Sequence, residues 1–165
     1  MIPGDDRLAH LAGEVGHGLA AAGLSLVSAE SCTGGWIAKL LTDVPGSSGW
    51  FERGFVTYSN ASKTQLLGVP TELIEGHGAV SESTVRAMAV GALAHSQGQM
   101  SVAVSGIAGP GGGSADKPVG TVWLAWAGVG GETRAERFQF SGDRDAVRRQ
   151  AVAAALEGVL QRLAR

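Results

Sequence analysis

Leu24-Ser25-Leu26-Val27-Ser28-Ala29-Glu30-Ser31-Cys32-Thr33-Gly34-Gly35-Trp36 is the stretch on which the fold turns. Its first four residues form an apolar, β-prone run, and Trp36-Ile37-Ala38-Lys39-Leu40-Leu41 continue from it at helical spacing. A strand that turns abruptly into a helix leaves the helix's first N–H groups unpaired and aimed past the strand end. Gly34 and Gly35 would let a ligand come close to that backbone. In such a junction Ser31 is the best-placed nucleophile. The bland alternative is an ordinary N-cap, in which Ser31 or Thr33 bonds a backbone N–H and does nothing else.

Composition bounds what this junction can serve. The 165 residues suffice for one domain, 1–165, with a full core. A formal net charge of −2 offers no basic face for nucleic acid. The single cysteine excludes an internal disulfide, and the 4 scattered histidines show no metal-ligand spacing. No apolar run reaches the roughly 18 residues of a membrane span. Met1-Ile2-Pro3-Gly4-Asp5-Asp6 does not read as a signal peptide, so a soluble cytoplasmic protein is expected.

Outward from the junction, helices and strands alternate. Asp5 or Asp6 can cap a first helix whose Leu8, Leu11, Val15 and Leu19 recur at three- and four-residue steps, with Gly23 as its stop. Residues 50–58 read as a strand, and Asn60 to Gly68 as a short helix with Asn60 as its cap. A brief helical stretch runs from Thr71 through Ile74, and a longer helix starts at Ser81-Glu82-Ser83. The apolar strand Met100–Ser105 enters the glycine-rich loop 106–114. Strands 120–128 and 132–140 follow, joined at Val129-Gly130-Gly131, and a last helix begins near Asp143. This order predicts a three-layer α/β/α sandwich on a mixed, mainly parallel sheet with a hairpin at one edge. Ligands gather in such folds where strand ends meet helix starts. Three segments present that junction, at Ser31, at Tyr58–Lys63 and at Gly106–Ser114, and they are expected to converge on one pocket.

Each of the three carries its own chemistry. With Asn60 as cap, Lys63 sits in the first helical turn, where the dipole disfavours an ammonium and burial would add to the effect. A neutral lysine there could deprotonate a serine, with Tyr58 relaying the proton or holding the pair; as a solvated surface lysine it would do neither. The loop from Gly106 offers backbone N–H groups suited to a phosphate. It is not a P-loop, because Gly112-Gly113 stands where Lys-Ser/Thr would be required. Cys32 is a rival nucleophile, but no histidine has a sequence relation that would activate it, and it reads as a packing residue. One or more of Trp36, Trp50, Trp123 and Trp126 is expected in a subunit interface of a homo-oligomer.

Taken together, Ala29-Glu30-Ser31-Cys32-Thr33-Gly34-Gly35, Tyr58-Ser59-Asn60 with Lys63, and Ser105-Gly106-Ile107-Ala108-Gly109-Pro110 through Lys117-Pro118-Val119-Gly120-Thr121-Val122 resemble the C-terminal domain of the CinA competence/damage-inducible family. The resemblance runs from about Leu8 to Leu163, and the chain looks like the family's stand-alone nicotinamide-nucleotide amidases. It implies hydrolysis of nicotinamide mononucleotide to nicotinate mononucleotide and ammonia, with no metal or organic cofactor. The family's serine nucleophile falls on Ser31, and its assisting tyrosine and lysine on Tyr58 and Lys63. Substrate contacts are assigned from chemistry to Glu30, Thr33, Gly34, Asn60, Ser105, Gly106, Gly109, Gly111 and Gly112. The oxyanion is expected at the Thr33–Gly34 amides. The partner implied is a small nucleotide, with neither nucleic acid nor membrane. A non-catalytic nucleotide-binding module and a Ser-Lys hydrolase of another amide or ester remain the alternatives.

Overall fold

Five strands, β1 (Leu26–Glu30), β2 (Phe51–Val56), β3 (Met100–Gly106), β4 (Thr121–Gly128) and β5 (Arg134–Gln139), form one sheet in the order β2-β1-β3-β4-β5. In the computed structural model, which describes residues 1–128 and 131–165, β1 pairs parallel with both β2 and β3. β4 is antiparallel to β3 and to β5, so β4 alone runs against the others. The sandwich expected from element order is therefore present. Val129 and Gly130 of the expected hairpin turn lie outside the described residues.

Alternation along the strands divides the core in two. Leu26, Met100, Val102, Val104, Leu124 and Trp126 face helices α1 (Asp5–Ala22), α2 (Trp36–Thr42) and α6 (Arg144–Leu163). Val27, Ala29, Ala103, Ala125 and Ala127 face α3 (Asn60–Leu67), α4 (Thr71–His77) and α5 (Glu82–Ala94). β1 is buried along its whole length, as a strand covered on both faces must be. The four apolar residues expected on the buried face of α1 are all 1% exposed or less. Trp126 anchors α6, donating its indole N–H to the Ala155 carbonyl at 3.0 Å. A Cβ on Gly158 would stand 2.1 Å from that indole, so only glycine lets the helix lie this close.

Two caps differ from expectation. α1 is capped by Gly4 without a side-chain bond, leaving Asp5 and Asp6 in the first turn, where the dipole still favours them. α3 is capped by Ser59, whose hydroxyl accepts from the Ser62 amide, and Asn60 is the first helical residue. Trp50 and Trp126 are core residues, while Trp36 and Trp123 are only partly buried.

Candidate active site

Parallel pairing brings the three junctions together. Glu30 pairs with Val56 on one side and Val104 on the other, so the chain leaves β1, β2 and β3 at the same end of the sheet. The Thr57 amide donates to the Glu30 carbonyl at 2.8 Å, and the Ser31 amide to the Val104 carbonyl at 3.1 Å. Ser31 thus begins where the pairing stops. A cavity of about 270 Å³ lies beyond it.

Lys63 reaches into this place from α3. Its Nζ lies 3.0 Å from Ser31 Oγ and 2.9 Å from the Thr57 carbonyl, with the Tyr58 carbonyl at 3.4 Å. The side chain is 1% exposed. Desolvation pulls the amine below the usual lysine range. Three hydrogen-bonding oxygens and no carboxylate are its partners, which holds the amine in place without a counter-charge. The solvated-lysine alternative is thereby set aside.

Cys32 shares the cavity wall, yet burial pushes its thiol up to about 12, so it stays protonated at neutral pH. That agrees with its reading as a packing residue.

The predicted residues divide by position. Ser31, Tyr58, Asn60, Lys63, Ser105, Gly106, Gly109, Gly111 and Gly112 line the cavity. Ser105 is buried and donates its hydroxyl to the Ala79 carbonyl at 2.8 Å. Glu30, Thr33 and Gly34 are not part of the lining. Glu30 is wholly buried behind it and accepts from Thr33 Oγ1 at 2.6 Å and from the Ile37 and Ala38 amides at 2.9 and 3.1 Å. Burial raises its carboxyl above the ordinary range, and the hydrogen bonds oppose that rise. The glutamate therefore takes up amides of the first turn of α2. Gly34's amide is also engaged, donating to the Ser31 carbonyl at 3.0 Å.

Two arginines of α6 complete the site, and neither was expected from the sequence. Arg148 donates from Nε to the Cys32 carbonyl at 3.0 Å and from Nη2 to the Thr33 carbonyl at 3.2 Å, which ties down the loop behind Ser31. Arg144 lines the cavity and donates to the Gly109 carbonyl at 2.7 Å and to the Tyr58 hydroxyl at 3.2 Å. Their signal in the sequence was faint. Cations in the first turns of a helix oppose its dipole, and Arg144 and Arg148 sit there one turn apart.

Among the described residues, no three His, Cys, Asp or Glu side chains are grouped to hold a metal ion. No helix there is long and apolar enough to cross a membrane. A larger groove of about 480 Å³ between the N-terminal segment, β5 and α6 is lined by residues such as Ile2, Phe138 and Phe140, without a nucleophile and base in contact.

Fold and cavity define a three-layer α/β domain with a serine–lysine contact at the carboxyl ends of its parallel strands. The chain belongs to the CinA C-terminal domain family, whose profile matches residues 8–163. It is 57% identical over 157 residues to the nicotinamide-nucleotide amidohydrolase PncC of Escherichia coli K12, covering 95% of each chain. It is 58% identical to the protein of that name from Pseudomonas putida, over 94% of this chain and 97% of that one. Among solved structures, the competence/damage inducible protein CihA from Agrobacterium tumefaciens superposes with a TM-score of 0.93 at 44% identity, covering 100% of this chain and 99% of that one.

Proposed function

We propose that this protein is a nicotinamide-nucleotide amidohydrolase that releases ammonia from nicotinamide mononucleotide through an acyl-enzyme on Ser31. The observation that carries the mechanism is the 3.0 Å contact between Lys63 Nζ and Ser31 Oγ in a buried, carboxylate-free setting. The full-length likeness to amidohydrolases of that name supports the substrate.

Desolvation favours the neutral amine of Lys63, and in that form it takes the proton of the Ser31 hydroxyl as Oγ bonds to the carboxamide carbon. The proton then passes to the amide nitrogen, the C–N bond breaks, and ammonia leaves. Water, deprotonated by the same amine, adds to the ester carbon, and Ser31 recovers its proton as the carboxylate departs. Lys63 meets Ser31 directly, whereas the hydroxyl of Tyr58 is engaged with Arg144, so the direct route is favoured over a tyrosine relay. The oxyanion falls to the Cys32 amide: Cys32 lines the cavity, and no backbone carbonyl among the described residues accepts from its N–H. A donor of this kind is worth about 3–4 kcal/mol of barrier. The glycine loop and the rim at Asn60 bound the rest of the nucleotide.

Ammonia release from nicotinamide mononucleotide by wild type and by Ser31→Ala tests this reading. Wild type should turn over, and Ser31→Ala should lose turnover while still binding the nucleotide. Near-normal release by the alanine variant would sink the acyl-enzyme.

A further inference from the structure

A neutral carboxamide needs no cation to hold it, yet the cavity contains one beyond Lys63. Arg144 stands at its rim, exposed, with both hydrogen-bonded nitrogens on neutral oxygens, those of Gly109 and Tyr58. The acids nearest in sequence are occupied elsewhere: Asp143 caps α6 by accepting from the Ala146 amide, and Asp145 pairs with Arg149. No Asp or Glu lines the cavity. A guanidinium held by two neutral acceptors keeps its full charge available to an incoming anion, and its planar fork matches phosphate oxygens.

We propose that Arg144 is the residue that distinguishes a nucleotide from a nucleoside in this site, by pairing with the substrate's phosphate monoester. This rests on the nucleotide reading above and names the group that reads the phosphate. The Gly109 bond fixes one edge of the guanidinium against the glycine loop, so the cation and the loop's backbone face the same anion. The longer bond to Tyr58, a residue 62% exposed whose side chain is free to swing aside, is the one exchanged for a phosphate oxygen. Lys63 cannot serve this purpose. It is buried with its amine on Ser31 Oγ and on backbone carbonyls, and that amine is shifted toward the neutral form.

The test uses binding rather than turnover. Nicotinate mononucleotide and nicotinate riboside are titrated calorimetrically into wild type, Arg144→Gln and Arg144→Lys, since neither probe carries an amide to cleave. Wild type should prefer the mononucleotide. Arg144→Gln should cut that preference by about ten- to a hundredfold, the usual weight of a charge-assisted contact, and Arg144→Lys should keep part of it. Thermal midpoints check that each variant folds, which an exposed residue should allow. A preference that survives in folded Arg144→Gln overturns the assignment. Equal weakening of both probes also overturns it, because that is the mark of a structural role. Failure of the reaction itself is separable: wild type that releases no ammonia from nicotinamide mononucleotide refutes the amidase reading, whereas the two-probe preference still judges Arg144.

Discussion

Replacing Lys63 by methionine keeps most of the buried side-chain volume and deletes the amine. Activity should fall by about 10²–10⁴-fold, the usual contribution of a general base, and any rising limb in kcat/KM against pH should vanish. Stability gives a second, independent reading. The folded-state pKa of Lys63 is lowered by desolvation, while the unfolded value is about 10.4. Below the folded pKa both states hold the proton, and the folded wild type bears the full penalty of a buried ammonium. Between the two values the unfolded chain binds more protons, so wild-type stability climbs with pH by up to about 1.36 kcal/mol per unit. Above the unfolded pKa the climb ends. Methionine has no proton to bind and shows no such climb. Against this, the Thr57 and Tyr58 carbonyls lose a donor in the variant, at about 1–3 kcal/mol for each acceptor left unpaired, and that loss does not change with pH. Urea denaturation of both proteins from neutral to alkaline pH should therefore show wild type gaining on Lys63→Met as pH rises. Parallel stability curves would refute the claim that this amine is desolvated. Lys63→Arg should be nearly as inactive as Lys63→Met, since a guanidinium cannot give up its proton; retained activity would mean that the charge alone matters.

Three further outcomes are expected. Cys32→Ala should keep its ammonia release within a few-fold of wild type, and strong inactivation would reopen the thiol as nucleophile despite its pKa of about 12. Glu30→Ala should lose the acceptor of the Thr33 hydroxyl and the Ile37 and Ala38 amides, lowering stability by about 1–3 kcal/mol in urea melts and slowing turnover with it; an unchanged melt would mean that α2 does not depend on this anchor. Gly158→Ala should destabilise by about 1–3 kcal/mol, because its Cβ would enter the Trp126 ring space at 2.1 Å, and pairing it with Trp126→Leu should restore part of the loss.

Much of this molecule is written locally. The three- and four-residue recurrence of Leu8, Leu11, Val15 and Leu19 marks α1, and the positive-φ glycines at 23 and 68 end α1 and α3 where the pattern stops. The Ser31 turn, the Lys63 helix and the glycine loop were each legible as strand-end junctions, because strand-to-helix turns have short-range signatures. Capping was less secure. Ser59 and Asn60 are both good caps, and only the backbone conformation decides between them.

What the tertiary structure decided is everything that depends on register and on burial. The pairing of Glu30 with both Val56 and Val104 carries three distant loops to one end of the sheet, and no local pattern encodes that alignment. The same side-chain types in the same order could not reveal that Glu30 turns inward to consume the amides of α2, since its direction follows from the alternation of a strand buried on both faces. Arg144 and Arg148 reach the site from the far end of the chain because α6 packs across β3 and β4 with its first turn beside the strand ends. The displaced pKa of Lys63 belongs to this category too: a lysine in a first helical turn is ordinary until the sheet and its loops close over it and remove the water that would have kept it charged.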